Sequence, residues 1–247
     1  MPFTFAHPAI VLPLTLQRSA NISASALIIG SITPDFEYFL RMKATGSLSH
    51  SLTGVFLLDL PLAVLLLILF HMVVKRPLIN NLPDYFRCRL TVLRDFDFVT
   101  NFRKYFVGYG LCLLTGILSH IFWDGFTHAR TLIVEQFPAL QTVVDYGFMP
   151  RIPVYRYIQH ISSIVGLAII AVVFHRRGKH ESGFASIKPG FWVGVAGVAL
   201  VVFTVRASMG FEYLADVGAV LIGSALAGLV LISILISRIE RNKIEET

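Results

Sequence analysis

Three side chains that can bind a metal ion, His120, Asp124 and His128, recur every four residues where a long apolar stretch ends. On an α-helix this spacing rotates the side chain by only about 40°, so neighbouring members would share one face. Imidazole nitrogens and a carboxylate oxygen suit zinc, manganese or iron. The alternative is a helix-end cluster satisfied by hydrogen bonds and water, since Gly125 could end the helix before His128. The spacing indicates a candidate metal site.

The composition of the chain places these residues in a membrane protein. Of the 247 residues, 55% are hydrophobic and only 15% charged, against about 25% charged in soluble domains. We therefore predict an all-α, polytopic integral membrane protein, with about five transmembrane helices and N-terminal surface helices. The predicted spans are Val55–Val74, Phe106–Phe122, Tyr157–Phe174, Pro189–Val205 and Ala215–Ser237.

Residues 1–54 contain too many polar residues for a clean span, so we expect short helices at the membrane surface. The triplet Thr33-Pro34-Asp35 is typical of a helix start, with Asp35 either an early-turn acid or a ligand. Glu37 and Arg41 have the spacing of an ordinary i,i+4 ion pair, and Arg41 is expected to lie just behind the ligands.

The distribution of positive charge predicts the orientation. Fourteen of the 21 Lys and Arg residues lie on one side of the predicted spans and seven on the other. The positive-inside rule then puts the N-terminus outside and the C-terminus in the cytoplasm, with the protein in the cell's inner (plasma) membrane. Topology accounts for the net charge of +6 better than nucleic-acid binding does, so no nucleic-acid partner is expected.

This orientation gathers most of the candidate ligands on one side of the membrane, whereas His71, His175 and His180 fall on the inner side. The outer set is His7, Asp35, His50, His120, Asp124, His128 and His160.

Three of the remaining candidates lie close to predicted spans. His50 precedes the first span and is either a ligand or an ordinary histidine at the membrane interface. His160 begins the third span and is either a ligand or a histidine buried in the core. Asp59 lies inside the first span, where a carboxylate is a candidate functional residue by default. It is about 180° around a straight helix from His50. We therefore expect Asp59 either to contact the ligands without binding the metal itself or to have a packing role.

Four motifs stand out along the chain: Met-Pro-Phe-Thr-Phe-Ala-His7-Pro, Gly30-Ser-Ile-Thr-Pro-Asp35-Phe-Glu-Tyr, Ser49-His50-Ser and His120-Ile-Phe-Trp-Asp124-Gly-Phe-Thr-His128. Together they resemble a bacterial membrane-protein family, the domain-of-unknown-function family 4184. The resemblance covers residues 1–175, which we expect to form a metal-site membrane domain. The predicted spans and the basic residues at the end of the chain make residues 176–247 two further transmembrane helices and a basic cytoplasmic tail.

The order of these residues is also similar to membrane-bound metal-dependent hydrolases and to the zinc-dependent phospholipase C superfamily. That resemblance implies a metal centre, with Asp35 or Asp124 bridging two ions. The ligands that it implies are His7, Asp35, His50, His120, Asp124, His128 and His160. Two departures, the position of His7 six residues into the chain and Ile164 where a Glu would follow His160, favour one or two ions over three.

We therefore expect a membrane-bound hydrolase that uses zinc to cleave a phosphoester, such as a lipid headgroup or an isoprenoid phosphate. A bound divalent ion lowers the pKa of water towards about 7, and the catalytic carboxylate, Asp35 or Asp124, would accept its proton. The alternative is a non-enzymatic membrane protein: a metal- or proton-coupled transporter, or a haem carrier with His120 and His160 as axial ligands.

Overall fold

The computed structural model describes residues 3–17, 19, 21–46, 48–145, 147, 150–178 and 189–245, most of which are helical. Among the residues counted above, Arg18, Lys179, Lys188 and His180 lie outside the described residues. The helices are α1 (Pro8–Thr15), α2 (Ala24–Ile32), α3 (Phe36–Arg41), α4 (Leu52–Asn80), α5 (Asp84–Asp95), α6 (Phe98–Lys104), α7 (Phe106–Asp124), α8 (Leu132–Gln136), α9 (Pro138–Gln141), α10 (Val154–Arg176), α11 (Pro189–Ala207) and α12 (Leu214–Glu245).

Within the described residues, five helices are long and apolar enough to cross a membrane: α4, α7, α10, α11 and α12. The predicted all-α polytopic fold is confirmed. The helices α7, α10 and α11 match their predicted spans to within three residues at each end, whereas α4 and α12 continue six and eight residues beyond the predicted ends. Two short strands, Val143–Val144 and Ile152–Pro153, pair antiparallel between α9 and α10. Two 3₁₀ turns, Thr4–Ala6 and Thr33–Asp35, precede α1 and α3.

The chain forms two compact units, each assembled from separate stretches of sequence. Unit 1 comprises Met1–Asp35, Leu48–Val64 and Phe102–Arg176, and unit 2 comprises Phe36–Ser47, Leu65–Asn101 and Arg177–Thr247. Unit 1 holds α1, α2, the beginning of α4, α7 and α10. All seven of the candidate ligands on the predicted outer side belong to it.

Two glycines bring the backbones of α2 and α7 together in unit 1. A Cβ atom at Gly116 would lie 2.5 Å from the carbonyl oxygen of Leu27, and one at Gly30 would overlap the carbonyl of Leu113. Small residues of this kind let helices pack closely in a membrane, where no hydrophobic force drives helices together. Because Gly30 precedes Ser31, and Gly116 lies one turn before His120, this contact also fixes the distance between two parts of the candidate site.

The start of α4 is shaped by a serine cap and a proline. The hydroxyl of Ser51 accepts a hydrogen bond from the amide of Gly54 at 2.9 Å, and a Cβ at Gly54 would overlap the carbonyl of Leu48. The next turn, Val55–Asp59, is π-helical and immediately precedes Leu60-Pro61. A proline lacks the amide that an α-helix needs, and a π-helical turn is one way for a helix to accommodate it.

The N-terminal turn of unit 1 packs against α10. A Cβ at Gly166 would lie 3.0 Å from the carbonyl oxygen of Ala6, and the Phe3 amide donates to the Ser163 hydroxyl at 3.0 Å. These contacts place the residue after the turn, His7, against the interior of the unit, where it is fully buried.

In unit 2, α11 and α12 pack closely because a Cβ at Gly228 would overlap the carbonyl of Val195. Residues 76–101 of unit 2, which mix basic and aromatic side chains, are mainly helical. On α5 the aromatic rings of Tyr85 and Phe86 are exposed, whereas Arg89 is buried and stacks on Tyr85.

Candidate metal centre

Four side chains of unit 1 converge on one point: Asp35, His50, His120 and Asp124. One ligand atom from each lies within 4.8 Å of the other three. His50 Nε2 is 3.7 Å from Asp35 Oδ1 and 3.3 Å from Asp124 Oδ2. His120 Nε2 is 3.5 Å from Asp35 Oδ1 and 3.4 Å from Asp124 Oδ2. We call these four residues the metal cluster.

These four distances fit the edges of a metal coordination shell. They exceed the roughly 2.7–2.9 Å of a hydrogen bond between an imidazolium and a carboxylate. Ligands about 2.1 Å from an ion at the corners of a tetrahedron lie about 3.4 Å apart. The octahedral shell of Mg²⁺, with its shorter edges of about 3.0 Å, fits less well. The four residues could hold one divalent ion.

Burial makes the metal cluster costly without a cation. Asp35 and His120 are fully buried and Asp124 is 5% exposed. Among the described residues, His120 Nε2 and Asp35 Oδ1 have no hydrogen-bond partner, and neither does the second oxygen of Asp124, Oδ1. Two carboxylates with so little access to water are costly to bury without positive charge beside them, and a divalent ion would supply that charge.

Hydrogen bonds outside the metal cluster orient its ligand atoms. The Thr4 hydroxyl donates to Asp35 Oδ2 at 2.6 Å, which leaves Oδ1 facing the cluster. His120 Nδ1 is 2.7 Å from the carbonyl oxygen of Ser31, so this nitrogen carries the proton and Nε2 offers its lone pair. Such partners are typical of metal-binding histidines and carboxylates.

Each member of the metal cluster is held by the local fold. Asp35 ends the 3₁₀ turn after α2, and His120 and Asp124 lie one turn apart at the end of α7. His50 has a φ of +70°, in the left-handed region that a non-glycine residue adopts at a cost of about 1 kcal/mol or more. Strain at a residue that also faces two carboxylates indicates that its position serves the site.

Two further histidines lie on the other side of Asp124. Its Oδ1 is 3.6 Å from His7 Nε2 and 3.6 Å from His128 Nδ1. The ring of His7 stacks on His120 with 3.8 Å between centroids. Burial and the neighbouring His120 lower the pKa of His7 to about 3, and burial lowers the pKa of His128. Both therefore favour the neutral form, which is the form that binds metal ions.

The helix α7 ends at Asp124, and the next residue, Gly125, still has right-handed helical backbone angles. The chain nevertheless continues in hydrogen-bonded turns, and the amides of Thr127 and His128 both donate to the carbonyl of Asp124. These turns fold His128 back beside Asp124, so the end of the helix does not separate the two.

The structure does not bring every proposed residue to the metal cluster. His160 lies on α10 with its side chain exposed. Asp59 is fully buried in the π-helical turn of α4, in unit 1 but not among the four clustered residues. Arg41 belongs to unit 2 and pairs with Glu37 at 2.8 Å, the i,i+4 pair that its spacing indicated.

Sequence reasoning missed the residues that orient the ligands. Thr4 stands inside the Met-Pro-Phe-Thr-Phe-Ala-His7 motif, and a polar residue among apolar neighbours next to a candidate ligand was a usable signal. The Ser31 carbonyl is a backbone group, which no side-chain pattern reveals. Trp123 packs against His7 with 5.3 Å between ring centroids, and its position beside Asp124 in the sequence was the only signal of that role.

Fold and site together define a polytopic α-helical membrane protein with a candidate metal centre at the end of one span. The chain belongs to a family described as Domain of unknown function (DUF4184), whose model matches residues 1–239. The match extends well beyond residue 175, where the resemblance was expected to end. No curated protein and no solved structure matches the chain.

Proposed function

We propose that the protein is a membrane-bound, zinc-dependent hydrolase that cleaves a phosphoester. The observation that carries the proposal is the set of four nitrogen–oxygen distances, 3.3–3.7 Å, between two histidines and two carboxylates. Two imidazole nitrogens among the four ligands suit zinc better than magnesium or calcium, which bind mainly oxygen. A divalent ion supplies a water of lowered pKa and stabilises negative charge on the attacked group.

The two carboxylates have different surroundings, which favour different roles. Asp35 has one oxygen bonded to Thr4 and the other facing the metal cluster, so it is suited to holding the ion. Asp124 turns only Oδ2 to the cluster, and its Oδ1 has no hydrogen-bond partner among the described residues. That oxygen is free to accept a proton from water, so Asp124 is the better candidate for the general base.

The same oxygen of Asp124 could instead bind a second ion, held also by His7 and His128. This arrangement would make Asp124 the bridge between two ions, which is common in enzymes that cleave phosphoesters. Elemental analysis of the purified protein separates the two cases: one ion gives a metal-to-protein ratio near one, and two ions bridged by Asp124 give a ratio near two.

The location of the metal cluster supports a phosphate-bearing substrate at the membrane surface. Asp124 is the last residue of a membrane-spanning helix, the depth at which lipid headgroups lie. His50 is partly exposed, so the cluster is not sealed. The similarity of the ligand order to the phospholipase C superfamily favours phosphoesters over other esters. A lipid headgroup or an isoprenoid phosphate would reach the site without leaving the bilayer.

A transporter is the second candidate, and the buried Asp59 favours it. This carboxylate lies inside the membrane-spanning helix α4 and is fully buried. Intramembrane carboxylates often mark ion or proton pathways. The haem alternative has less support, because His120 faces two carboxylates while His160 is exposed on α10. Metal uptake into proteoliposomes that depends on Asp59, without hydrolysis, would favour transport.

Metal content tests the first part of the proposal. Substituting His120→Ala should remove most of the bound zinc, because His120 supplies a buried ligand. The matched control is His175→Ala, at an exposed position on α10. Equal zinc in the two purified variants would contradict the metal centre.

Hydrolysis tests the second part. Metal-loaded protein in detergent is assayed for phosphate or headgroup release from phospholipids, undecaprenyl phosphate and nucleotides. Asp124→Asn should lower turnover by orders of magnitude, because it removes the charge and the basic oxygen but keeps the size. Asp216→Asn is the control: Asp216 is equally buried, but it accepts hydrogen bonds from the amides of Ala44 and Tyr213 in unit 2. If no substrate distinguishes wild type from Asp124→Asn, we would abandon hydrolysis.

The proposed function places the site on the outer face of the plasma membrane, with the C-terminus in the cytoplasm, as the charge distribution predicts. In a variant without Cys88 and Cys112, Lys43→Cys should react with an impermeant thiol reagent added to whole cells, and Arg94→Cys should not. Labelling at position 94 from outside would reverse the orientation.

A further inference from the structure

An apolar groove of about 390 Å³ runs along the surface of unit 1 between α1, α7 and α10. Its volume falls within the range of about 300–1,000 Å³ that is usual for small-molecule sites. All of its lining side chains are aliphatic or aromatic: Ala9, Ile10, Phe122, Trp123, Phe126, Ile158 and Ile169. The only polar atom among them, the indole Nε1 of Trp123, already donates to the Ser162 hydroxyl at 3.1 Å.

Trp123 and His7 connect the groove with the metal cluster. Trp123 lines the groove and is followed in the chain by Asp124, and its ring also packs on His7. His7 in turn stacks on His120. On α1, the groove residues Ala9 and Ile10 follow His7 by two and three positions. Two ring contacts, from Trp123 to His7 and from His7 to His120, therefore connect the groove lining to the metal cluster.

The length and depth of the groove correspond to one leaflet of a bilayer. Ile158 and Ile169 both lie on the span α10, and their eleven-residue separation amounts to about 16 Å along a helix. Half of the hydrocarbon core of a bilayer is about 15 Å thick. The bond from Trp123 to Ser162 shows that the Ile158 end lies beside the end of α7 that carries Asp124. The groove thus extends from the level of the metal cluster towards the middle of the membrane.

We propose that this groove binds a hydrocarbon chain of a membrane lipid whose phosphate group lies at the metal cluster. The proposal rests on the proposed function and deepens it, because it makes the substrate a lipid phosphoester and excludes a water-soluble one. An apolar groove on membrane-spanning helices offers a hydrocarbon chain contacts that a soluble substrate would not use. The chain would lie along α10 and against Trp123, with the headgroup at the end near Asp124.

Fluorescence quenching tests binding without requiring turnover. The chain has two tryptophans, so Trp192→Phe leaves Trp123 as the sole emitter. Phosphatidic acid with brominated acyl chains, titrated into the zinc-loaded protein in detergent, should quench Trp123 saturably. Brominated diacylglycerol, which lacks the phosphate, should quench at least about tenfold less effectively at equal concentration if the headgroup contributes the 1.4 kcal/mol or more of a charged contact. Equal, non-saturating quenching by both lipids would overturn the proposal.

A variant that fills the groove provides the second arm. Ala9→Leu adds bulk at a buried lining position, and Ala171→Leu adds the same bulk at an exposed position of α10 outside the groove. Ala9→Leu should weaken phosphatidic acid binding about tenfold, which corresponds to moderate overpacking of the groove. Ala171→Leu should leave the binding unchanged. If Ala9→Leu does not fold, Ile158→Phe takes its place. Equal affinities in the filled and control variants would also overturn the proposal.

The two proposals can fail separately. Saturable, phosphate-dependent quenching without any hydrolysis would support the groove and contradict the hydrolase. Hydrolysis of long-chain and short-chain phosphoesters with the same KM, unchanged by Ala9→Leu, would support the hydrolase and contradict the groove.

Discussion

We predict that metal affinity depends on the close packing of α2 on α7, so that one methyl group added at this contact should weaken metal binding. In Gly116→Ala, the new Cβ would lie 2.5 Å from the Leu27 carbonyl oxygen and 2.7 Å from the Ser31 amide, whereas ordinary contact begins at 3.4 Å. Both neighbours are backbone atoms, which cannot rotate away. The two helices must therefore separate by roughly 0.9 Å to relieve the contact, at a cost of about 1–3 kcal/mol.

That displacement would act directly on the ligands. Ser31 accepts the 2.7 Å hydrogen bond that orients His120, and Asp35 follows on the same chain segment. Metal sites tolerate errors of only about 0.2 Å in ligand distance, so a movement several times larger should be felt. Loss of a partner that orients a ligand typically weakens metal binding by about 10–100-fold, and we expect a loss of that size for Gly116→Ala.

The same helix provides a matched control. Gly110 also lies on α7, but a Cβ there would meet no atom within 4 Å. Zinc affinity is measured by competition with a chromophoric chelator, and thermal unfolding is followed in detergent. Gly110→Ala should bind zinc like wild type and unfold at the same temperature or above it. Zinc binding by Gly116→Ala as tight as that by Gly110→Ala would show that the contact between α2 and α7 does not hold the ligands in place.

Three further perturbations follow from the structure. Thr4→Val removes the donor to Asp35 Oδ2 and should weaken zinc binding about 10–100-fold, measured by chelator competition. Thr15→Val should not, because the Thr15 hydroxyl donates to the Leu12 carbonyl on the same N-terminal segment. Gly54→Ala should lower both the melting temperature and the zinc content, because its Cβ would overlap the Leu48 carbonyl and unfold the turn that holds His50; a normal zinc content would contradict this. The lowered pKa of His7, about 3, means that the unfolded chain takes up a proton below pH 6.5 while the folded protein does not. Metal-free wild type should therefore lose up to about 1.4 kcal/mol of stability per pH unit as the pH falls from 6.5 towards 3, and His7→Asn should lose less, by denaturation at pH 7 and pH 5.

The sequence was sufficient to predict the spans and the four clustered residues, for two physical reasons. A span requires about 20 apolar residues, and such a stretch is visible in any chain. The ligands His50, His120 and Asp124 fall near the ends of such stretches, and Asp35 falls in a surface segment on the same side. The predicted side of the membrane therefore collected seven candidates, and the four residues that cluster in the structure are among them.

The rotation of α10 about its axis could not be predicted, and His160 shows the consequence. Gln159 and Gly166 are seven residues apart, which is nearly two full turns, and both are buried. Gly166 is pressed against Ala6, so this face of α10 must point inwards. His160 follows Gln159 by about 100° and consequently points away. Only the packing of the N-terminal turn, a long-range contact, determines which of the two polar residues faces the interior.

The burial of the metal cluster also bears on why the helices are arranged as they are. Two carboxylates 0–5% exposed, with buried oxygens that have no donor among the described residues, are a net cost to folding unless a cation is bound. The packing of α2 against α7 has no such cost, because Gly30 and Gly116 allow a close apolar contact between these helices. Stability alone would favour apolar residues at positions 35 and 124. The proposed ion would account for both carboxylates and for the left-handed backbone of His50, because its binding energy would return as stability what the metal-free site lacks.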